Sequence, residues 1–102
     1  MEQATHITAV RHGETDWNAQ SRLQGHLDID LNERGRWQAQ RAGQALADSG
    51  ITTIYCSDLR RAHDTALAIA QHSGIAAAAL RLEPGLRERS FGDFQGLTYD
   101  EV

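Results

Sequence analysis

The 102-residue chain contains one cysteine, one proline and no long hydrophobic run. With a single thiol, Cys56, the chain can form no internal disulfide, which is typical of proteins of the reducing cytoplasm. No segment approaches the roughly 20 apolar residues of a membrane-spanning helix, and residues 1–10 lack the basic start and apolar stretch of a signal peptide. We therefore expect one globular unit, residues 1–102, located in the cytoplasm.

Lysine is absent, and all ten basic residues are arginines. Acidic residues outnumber them and give a net charge of −4, which argues against nucleic acid or an anionic membrane as a partner. The planar guanidinium group binds phosphate and carboxylate groups bidentately. The composition therefore excludes polyanion binding but is compatible with recognition of a single phosphate or carboxylate group.

Short apolar runs rich in β-branched residues, or alternating in polarity, predict three strands. The predicted strands are residues 6–10, 51–56 and 79–83. The first strand is expected to be buried, and the third ends at Pro84.

Two segments with apolar residues at helical spacing separate these strands. Asn32 is a candidate cap for a helix that runs to about Ala47. Ser57 or Asp58 is a candidate cap for a second helix, which runs to about His72. The order strand, helix, strand, helix, strand predicts an α/β fold with a parallel sheet.

Two polar loops with several glycines, residues 11–31 and 85–97, follow the first and third predicted strands. Long ordered loops are often functional. The last residues, from Thr98 to Glu101, have the pattern of a helix cap, but the sequence ends there. We therefore expect the 102 residues to be part of a longer domain.

Three groups of reactive side chains follow the three predicted strands. Arg11 and His12 follow the first strand, Arg61 the second and Glu88 the third. Ligands of open parallel sheets bind beyond the carboxyl ends of the strands, so these groups are expected to meet at one edge. Arginines there would bind phosphate, a histidine can be a covalent nucleophile, and a carboxyl group can protonate a leaving oxygen.

The arginine beside His12 disfavours a charged imidazolium and favours a neutral, nucleophilic imidazole. Arg60 and Arg61 are about 100° apart around a helix, so only one of them can easily face the site. Glu14 has two open interpretations: its carboxylate accepts a hydrogen bond that orients the loop, or it is simply exposed. A metal site made of His12, His26 and Asp28 matches no familiar ligand spacing and is not expected.

The motifs of the chain resemble those of the histidine phosphatase superfamily, the phosphoglycerate mutase-like proteins. "RHGET" at 11–15, with Asn18 and the "LQG" of 23–25, is similar to the first motif of that family. "SDLRRAHDTA" at 57–66 is similar to the second, and "LRERSFGDFQG" at 86–96 to the third. Three motifs in the same order make the resemblance specific, whereas a lone RHG would be weak.

The resemblance implies a phosphoglycerate mutase-like parallel-sheet sandwich and assigns roles to these residues. His12 would be phosphorylated during turnover, Arg11 and Arg61 would hold the phosphoryl group, and Glu88 would donate the proton. Further binding residues implied on the substrate side are Asn18, Gln24 and Gly25. The substrate would be a small phosphorylated metabolite, and no metal or other cofactor is implied.

The family also uses a second histidine from the later half of its domain, and no residue of this chain lies in a matching motif. The chain therefore resembles the N-terminal half of one histidine phosphatase domain. The mutases of the family typically have a long insertion in this region, whereas "FQGLTYDEV" leads straight into the last predicted helix. This feature and the second motif favour a phosphatase that acts on phosphomonoesters through a phosphohistidine at His12. The alternatives are a phosphoglycerate mutase and a non-enzymatic, truncated phosphate-binding module.

Overall fold

The computed structural model describes residues 5–98 and 100–101 of the chain. Two long helices pack against each other beside a short parallel sheet. The helices are α1 (Asp16–Ala19), α2 (Glu33–Leu46) and α3 (Arg60–Ser73), and the strands are β1 (Tyr55–Cys56) and β2 (Arg81–Leu82). Short 3-10 turns at Ala77–Ala79, Pro84–Leu86 and Gly92–Phe94 complete the chain.

Helix α2 confirms the prediction made from its cap. The side chain of Asn32 accepts a hydrogen bond from the Gly35 amide at 2.8 Å, which satisfies one of the free N–H groups at the start of the helix. The helix ends at Leu46, one residue before the predicted end. Its start is thereby fixed directly beneath the loop that contains His12.

Helix α3 begins later than predicted and is not capped by Ser57 or Asp58. Its N-cap is Leu59, which makes no side-chain capping bond, while Ser57 Oγ accepts a hydrogen bond from the Leu59 amide at 3.3 Å. The carboxylate of Asp58 is instead bound by Arg87. The prediction was wrong because a partner 29 residues away competes for the local capping group.

The sheet confirms the predicted parallel topology but is shorter than predicted. Strands β1 and β2 pair in parallel, with Tyr55 opposite Arg81 and Cys56 opposite Leu82. Cys56 is buried where α3 packs against β1, whereas Tyr55 remains 56% exposed. Because successive side chains of a strand point to opposite faces, Tyr55 lies on the face that the helices leave open. Leu82 lies on the same face as Cys56 and is still 48% exposed, so the helices cover that face only at β1.

The prediction of a buried strand at 6–10 is wrong for the structure described. These residues form no strand, and Ile7 is 87% exposed. A β-branched run forms a strand when it pairs with a neighbouring strand and packs on a surface, whereas the segment 6–10 pairs with no strand among the described residues and is exposed throughout. Only the position of the segment, leading directly into the loop at Arg11, agrees with the prediction.

The core lies between the two long helices. Gly43 of α2 sits so close to α3 that an added Cβ would lie 2.5 Å from the ring of His72. Leu31, Ala39 and Ala68 form a buried cluster at this contact. Among the described residues, no helix has the length and apolar character needed to cross a bilayer.

Candidate active site

The loop at 11–15 rests on the backbone of α2, and two glycines make that contact possible. A Cβ added to Gly13 would lie 2.3 Å from the Gly35 carbonyl oxygen, and one added to Gly35 would lie 2.0 Å from the Glu14 carbonyl oxygen. Real Cβ atoms do not approach so closely, so both positions exclude every other residue without a shift of the backbone. The glycine of the RHG motif is therefore explained by this close approach.

Hydrogen bonds from both long helices fix the same loop. Gly13 donates its amide to Thr65 Oγ1 on α3 at 3.0 Å, and Glu14 donates its amide to Gln38 Oε1 on α2 at 2.8 Å. Asn32 donates its side-chain amide to Glu14 Oε1 at 3.0 Å. Of the two interpretations of Glu14, the structure therefore supports the one in which its carboxylate orients the loop.

His12 is held as one tautomer. Its Nδ1 lies 2.6 Å from the carbonyl oxygen of Gly13, and because a carbonyl only accepts, Nδ1 is the nitrogen that carries the hydrogen. In the neutral ring, Nε2 then carries a free lone pair.

Burial lowers the pKa of His12 below its ordinary value, and the positive charges of Arg61 and Arg11 act in the same direction. The hydrogen bond to Gly13 and the carboxylate of Glu88 oppose this lowering without reversing it. The result is a neutral imidazole at neutral pH, as expected from the sequence.

Arg61 is turned into the protein and Arg60 away from it. Arg61 is 2% exposed and donates to the carbonyl oxygens of Leu27 at 2.5 Å and Gly25 at 2.6 Å. The side chain of Arg60 is 66% exposed and reaches acidic residues of the loop, with Asp30 at 3.4 Å. The guanidinium of Arg61 stays charged in this setting, since arginine is not deprotonated in proteins, and its charge reaches His12.

Glu88 lies beside Arg61 on the open side of the site. One carboxylate oxygen is 3.8 Å from Arg61 Nη2, and the side chain is 47% exposed. The preceding residue, Arg87, forms a two-point ion pair with Asp58, which includes an Nε–Oδ1 contact of 2.6 Å. This pair ties the Glu88 loop to the start of α3, a contact that sequence reasoning missed.

The three predicted binding residues of the first loop have different settings. Asn18 bonds back to Thr15, the N-cap of α1, by accepting from the Thr15 amide at 3.1 Å, so its Nδ2 group is the donor left for a ligand. Gln24 is 4% exposed and accepts from the Thr15 hydroxyl at 2.6 Å. Gly25 has a φ of +55° and uses its carbonyl to hold Arg61. Gln24 and Gly25 thus shape the loop, and only Asn18 is half-exposed.

The first and third motifs are joined by backbone hydrogen bonds. Leu23 donates its amide to the Leu97 carbonyl at 2.9 Å, and Gly96 donates its amide to the Leu23 carbonyl at 2.8 Å. Gln95 Oε1 accepts from the His26 amide at 3.1 Å. Segments more than 65 residues apart in sequence are therefore held side by side near the site.

Arg11 is exposed, as is Glu88. Together with His12, Gln38 and Thr65, Arg11 lines a cleft of about 200 Å³. Among the residues that the structure describes, no group of three or more histidine, cysteine, aspartate or glutamate side chains is placed to hold a metal ion.

Comparison with known proteins decides the family. The model of the histidine phosphatase superfamily (branch 1) matches residues 7–102. The chain belongs to this superfamily. The family predicted from the three motifs is thereby confirmed.

Curated relatives in the superfamily carry both mutase and phosphatase names. The chain is 49% identical over 97 residues to phosphoglycerate mutase-like protein 4 of Arabidopsis thaliana, covering 94% of this chain and 41% of the relative. It is 42% identical over 100 residues to glucosyl-3-phosphoglycerate phosphatase of Mycobacterium tuberculosis, covering 98% of this chain and 44% of the relative. The chain therefore spans less than half the length of these superfamily members.

A solved structure of a superfamily member confirms the fold class. The mycobacterial glucosyl-3-phosphoglycerate phosphatase in complex with VO3 matches with a TM-score of 0.84 at 44% identity. The match covers 89% of this chain and 42% of that chain.

Two residues that shape this site were missed by sequence reasoning: Gln38 and Thr65. Both bind backbone amides of the loop rather than a ligand. A signal for Thr65 was available, since it lies four residues after Arg61 and therefore on the same helix face. Gln38 gave no comparable signal, because nothing in its sequence context marks it as a partner of the loop.

Proposed function

We propose that this chain is the N-terminal half of a histidine phosphatase domain that hydrolyses small phosphomonoesters through a phosphohistidine at His12. The observation that carries the proposal is the state of His12. Its Nδ1–H is bound to the Gly13 carbonyl, and its pKa is lowered by burial and by two arginines. A neutral Nε2 beside two guanidinium groups is suited to attack a phosphate dianion.

In the first step, His12 Nε2 forms a bond to phosphorus as the bond from phosphorus to the ester oxygen breaks. Arg61 and Arg11 neutralise the charge on the phosphoryl oxygens, which is the main requirement of the loose transition state. Glu88 gives its proton to the departing alkoxide. Asn18 would donate to the substrate from Nδ2, while Gln24 and Gly25 would hold the wall of the site.

In the second step, a water molecule attacks phosphorus and the bond to Nε2 breaks. The Glu88 carboxylate takes the proton of that water, and inorganic phosphate leaves. The proton lost in the first step is thus recovered, and the enzyme returns to its starting state. The position of Glu88 next to Arg61, with its side chain partly open to solvent, supports this exchange with water.

The proposal that the domain continues beyond these residues rests on two observations. The relatives are more than twice as long as the match, and one face of the β1–β2 sheet is left uncovered. Residues that follow would supply that cover, and with it the second histidine that the family resemblance implies. An intact-mass measurement of the purified natural protein tests this directly: a mass near 11.3 kDa would contradict it.

The test of the chemistry uses the full-length protein and a generic aryl phosphate. His12→Ala is expected to lower turnover by on the order of 10⁴-fold or more, because loss of a covalent nucleophile removes the reaction path. His26→Ala is the matched control, an exposed histidine of the same loop region, and is expected to retain activity. A rapid-quench mass spectrum should show one added phosphoryl group in the wild type and none in His12→Ala. An active His12→Ala would overturn the proposal.

The pH profile provides an independent test. His12 reacts as a nucleophile in its neutral form, so kcat/KM is expected to fall as pH drops through the pKa of His12. Since that pKa is lowered from the ordinary value of 6.5, the acid limb should lie below pH 6.5. An acid limb above pH 6.5 would contradict the assignment of this limb to His12.

The second candidate is a mutase that returns the phosphoryl group from His12 to another hydroxyl of the substrate. The mutase-like name of the Arabidopsis relative favours keeping it. Product analysis with 3-phosphoglycerate separates the two functions: release of inorganic phosphate supports the phosphatase, and formation of 2-phosphoglycerate supports the mutase.

A further inference from the structure

Thr65 occupies a position between the two groups that the proposed mechanism depends on. It lies one helical turn after Arg61 on α3, and its side chain is buried at 4% exposure. Its hydroxyl donates to the Arg61 carbonyl at 2.7 Å and accepts from the Gly13 amide at 3.0 Å. One side chain thus links the backbone of the phosphate-binding helix to the backbone beside His12.

The hydrogen bond to Thr65 matters more at Gly13 than it would at another residue, because the backbone of glycine is the least restricted. It must be glycine because of the Gly35 carbonyl 2.3 Å from its Cβ position. Glycine has the greatest backbone freedom of all residues, so its two peptide groups are held only by outside partners. Thr65 holds the peptide group before Gly13, and Gln38 holds the one after it through the Glu14 amide.

The orientation of Gly13 in turn decides the state of His12. The Gly13 carbonyl is the group that accepts from His12 Nδ1 at 2.6 Å. If the glycine rotated, this acceptor would turn away and the imidazole could carry its hydrogen on Nε2 instead. The nucleophilic lone pair would then be lost from the nitrogen that faces the substrate.

We propose that Thr65 is a positioning residue for the reaction: it holds the amide side of Gly13 while Gln38 holds the carbonyl side, so that His12 keeps its hydrogen on Nδ1 and its loop stays aligned with Arg61. This inference rests on the proposed function, because it concerns the nucleophilic role of His12. It assigns Thr65 no contact with substrate.

The test compares three variants of the full-length protein with aryl phosphate as substrate. Thr65→Val keeps the shape and removes both hydrogen bonds, Thr65→Ser keeps the hydroxyl, and Ser49→Ala removes a hydroxyl at an exposed position after α2. Small misplacements of reacting groups can cost on the order of 10²-fold in rate. We expect Thr65→Val to lower kcat by roughly 10-fold to 10²-fold in correctly folded protein, and the other two variants to stay near wild type.

The readout that separates positioning from mere stability is the tautomer of His12, measured by ¹⁵N NMR of the imidazole. The wild type and Thr65→Ser should show hydrogen on Nδ1, and Thr65→Val a mixture that includes hydrogen on Nε2. Wild-type kcat in folded Thr65→Val would overturn the inference. So would a loss of kcat with an unchanged tautomer, because Gly13 would then keep its hold on His12 without Thr65.

Thr65→Cys replaces the test if Thr65→Val does not fold. The thiol is of similar size and a weak hydrogen-bonding group, so kcat should still fall and the tautomer should still shift. Unchanged values in Thr65→Cys would overturn the inference. His12→Ala is measured in parallel: if it is active, the proposed function fails, whereas an inactive His12→Ala with a fully active Thr65→Val contradicts only the role of Thr65.

Discussion

In the loop at 11–15 and at the start of α3 beside it, polar side chains are buried and hydrogen-bonded, whereas in strands β1 and β2 large side chains with apolar surface are exposed. Thr15 is fully buried and Arg61 is 2% exposed, yet Tyr55 is 56% and Leu82 is 48% exposed. The usual distribution, with apolar strands inside and charged residues outside, is reversed between these two regions. Contacts within these residues are therefore enough to bury the groups around the site, whereas they leave much of the sheet exposed.

This contrast separates what each region depends on. The site edge satisfies its buried polar groups with specific partners, as in the two carbonyl oxygens bound by Arg61, and an unsatisfied group there would be costly. The sheet lacks cover over Tyr55 on one face and over Leu82 on the other, and apolar surface of this kind marks an interface. Under the proposed function, the covering surface is the second half of the same domain.

Of the substitutions that test this contrast, one at Arg61, among the buried polar groups of the site, is expected to have the largest effect. Arg61→Lys keeps the charge but loses the geometry that binds the Gly25 and Leu27 carbonyls and a phosphoryl group at once, because a guanidinium spreads five donors over three nitrogens in a fixed plane whereas an ammonium has its donors on one nitrogen. We expect kcat/KM to fall on the order of 10²–10³-fold, as for loss of one transition-state donor. The measurement is steady-state kinetics of the full-length protein.

Arg60→Lys is the matched control for that prediction, since its side chain is 66% exposed and its ion pairs lie at the surface. It should retain wild-type activity. An equal loss in both variants would show that the orientation of these neighbours does not decide their roles.

A second prediction sharpens the description of the loop as a close backbone contact. Gly13→Ala places a methyl group where the Gly35 carbonyl oxygen would be 2.3 Å away. Overpacking of this kind costs about 1–3 kcal/mol of unfolding free energy, and urea unfolding of the full-length protein would measure it. Gly85→Ala is the control, because no atom lies within 4 Å of its Cβ position. Equal stability of the two variants would contradict the packing argument.

Local signals were sufficient to predict the two long helices, α2 and α3, but not the short α1, which lies within the segment predicted as a loop. The Asn32 cap and the left-handed Gly74, at φ +71°, mark a helix start and a helix end in the sequence, and both are present in the structure. The strand predicted at 6–10 is not formed in the structure, because a strand depends on a neighbour that local sequence does not supply. The prediction of the α3 cap failed for a related reason, since Arg87, far along the chain, binds Asp58.

The site was predicted from topology and motif rather than from local structure. The chain order of the strands placed His12, Arg61 and Glu88 at one edge, and the structure places Arg61 within 3.8 Å of Glu88. What could not be predicted is the support beneath them. Gln38 and Thr65 act through backbone amides, and a bond of this kind depends on the exact approach of two helices to one loop.

A third prediction tests the other side of the comparison, the uncovered sheet. Although Tyr55 is 56% exposed here, the proposed domain would bury it. Tyr55→Thr in the full-length protein should then lower the unfolding free energy by about 1 kcal/mol or more, since full burial of a large apolar side chain is worth about 1.5–3 kcal/mol. Surface substitutions usually stay within about 0.5 kcal/mol, so a change that small would contradict burial of this face. Tyr55→Phe, which keeps the ring, is the control for urea unfolding.

The smallest effect is expected at the ion pair of Asp58 and Arg87, where the polar edge meets solvent. The hydrogen bond from Arg87 lowers the pKa of Asp58 below its ordinary value of 3.8. A carboxyl group with a lowered pKa in the folded state contributes stability that is present above the unfolded pKa and is lost as pH falls through the folded one. The difference in unfolding free energy between wild type and Asp58→Asn should therefore be constant near neutral pH and shrink below about pH 4.

Urea unfolding across pH, at low and high salt, measures this difference. Added salt should also reduce it, because partly exposed pairs are screened. Asp48→Asn, at an exposed position just after α2, reports the change common to any aspartate of the chain. If the stability difference for Asp58→Asn has the same pH dependence as for Asp48→Asn, Arg87 does not stabilise the Asp58 carboxylate. The Glu88 loop is then held by its other contacts, among them the Arg61–Glu88 ion pair and the hydrogen bonds between residues 22–26 and 95–97.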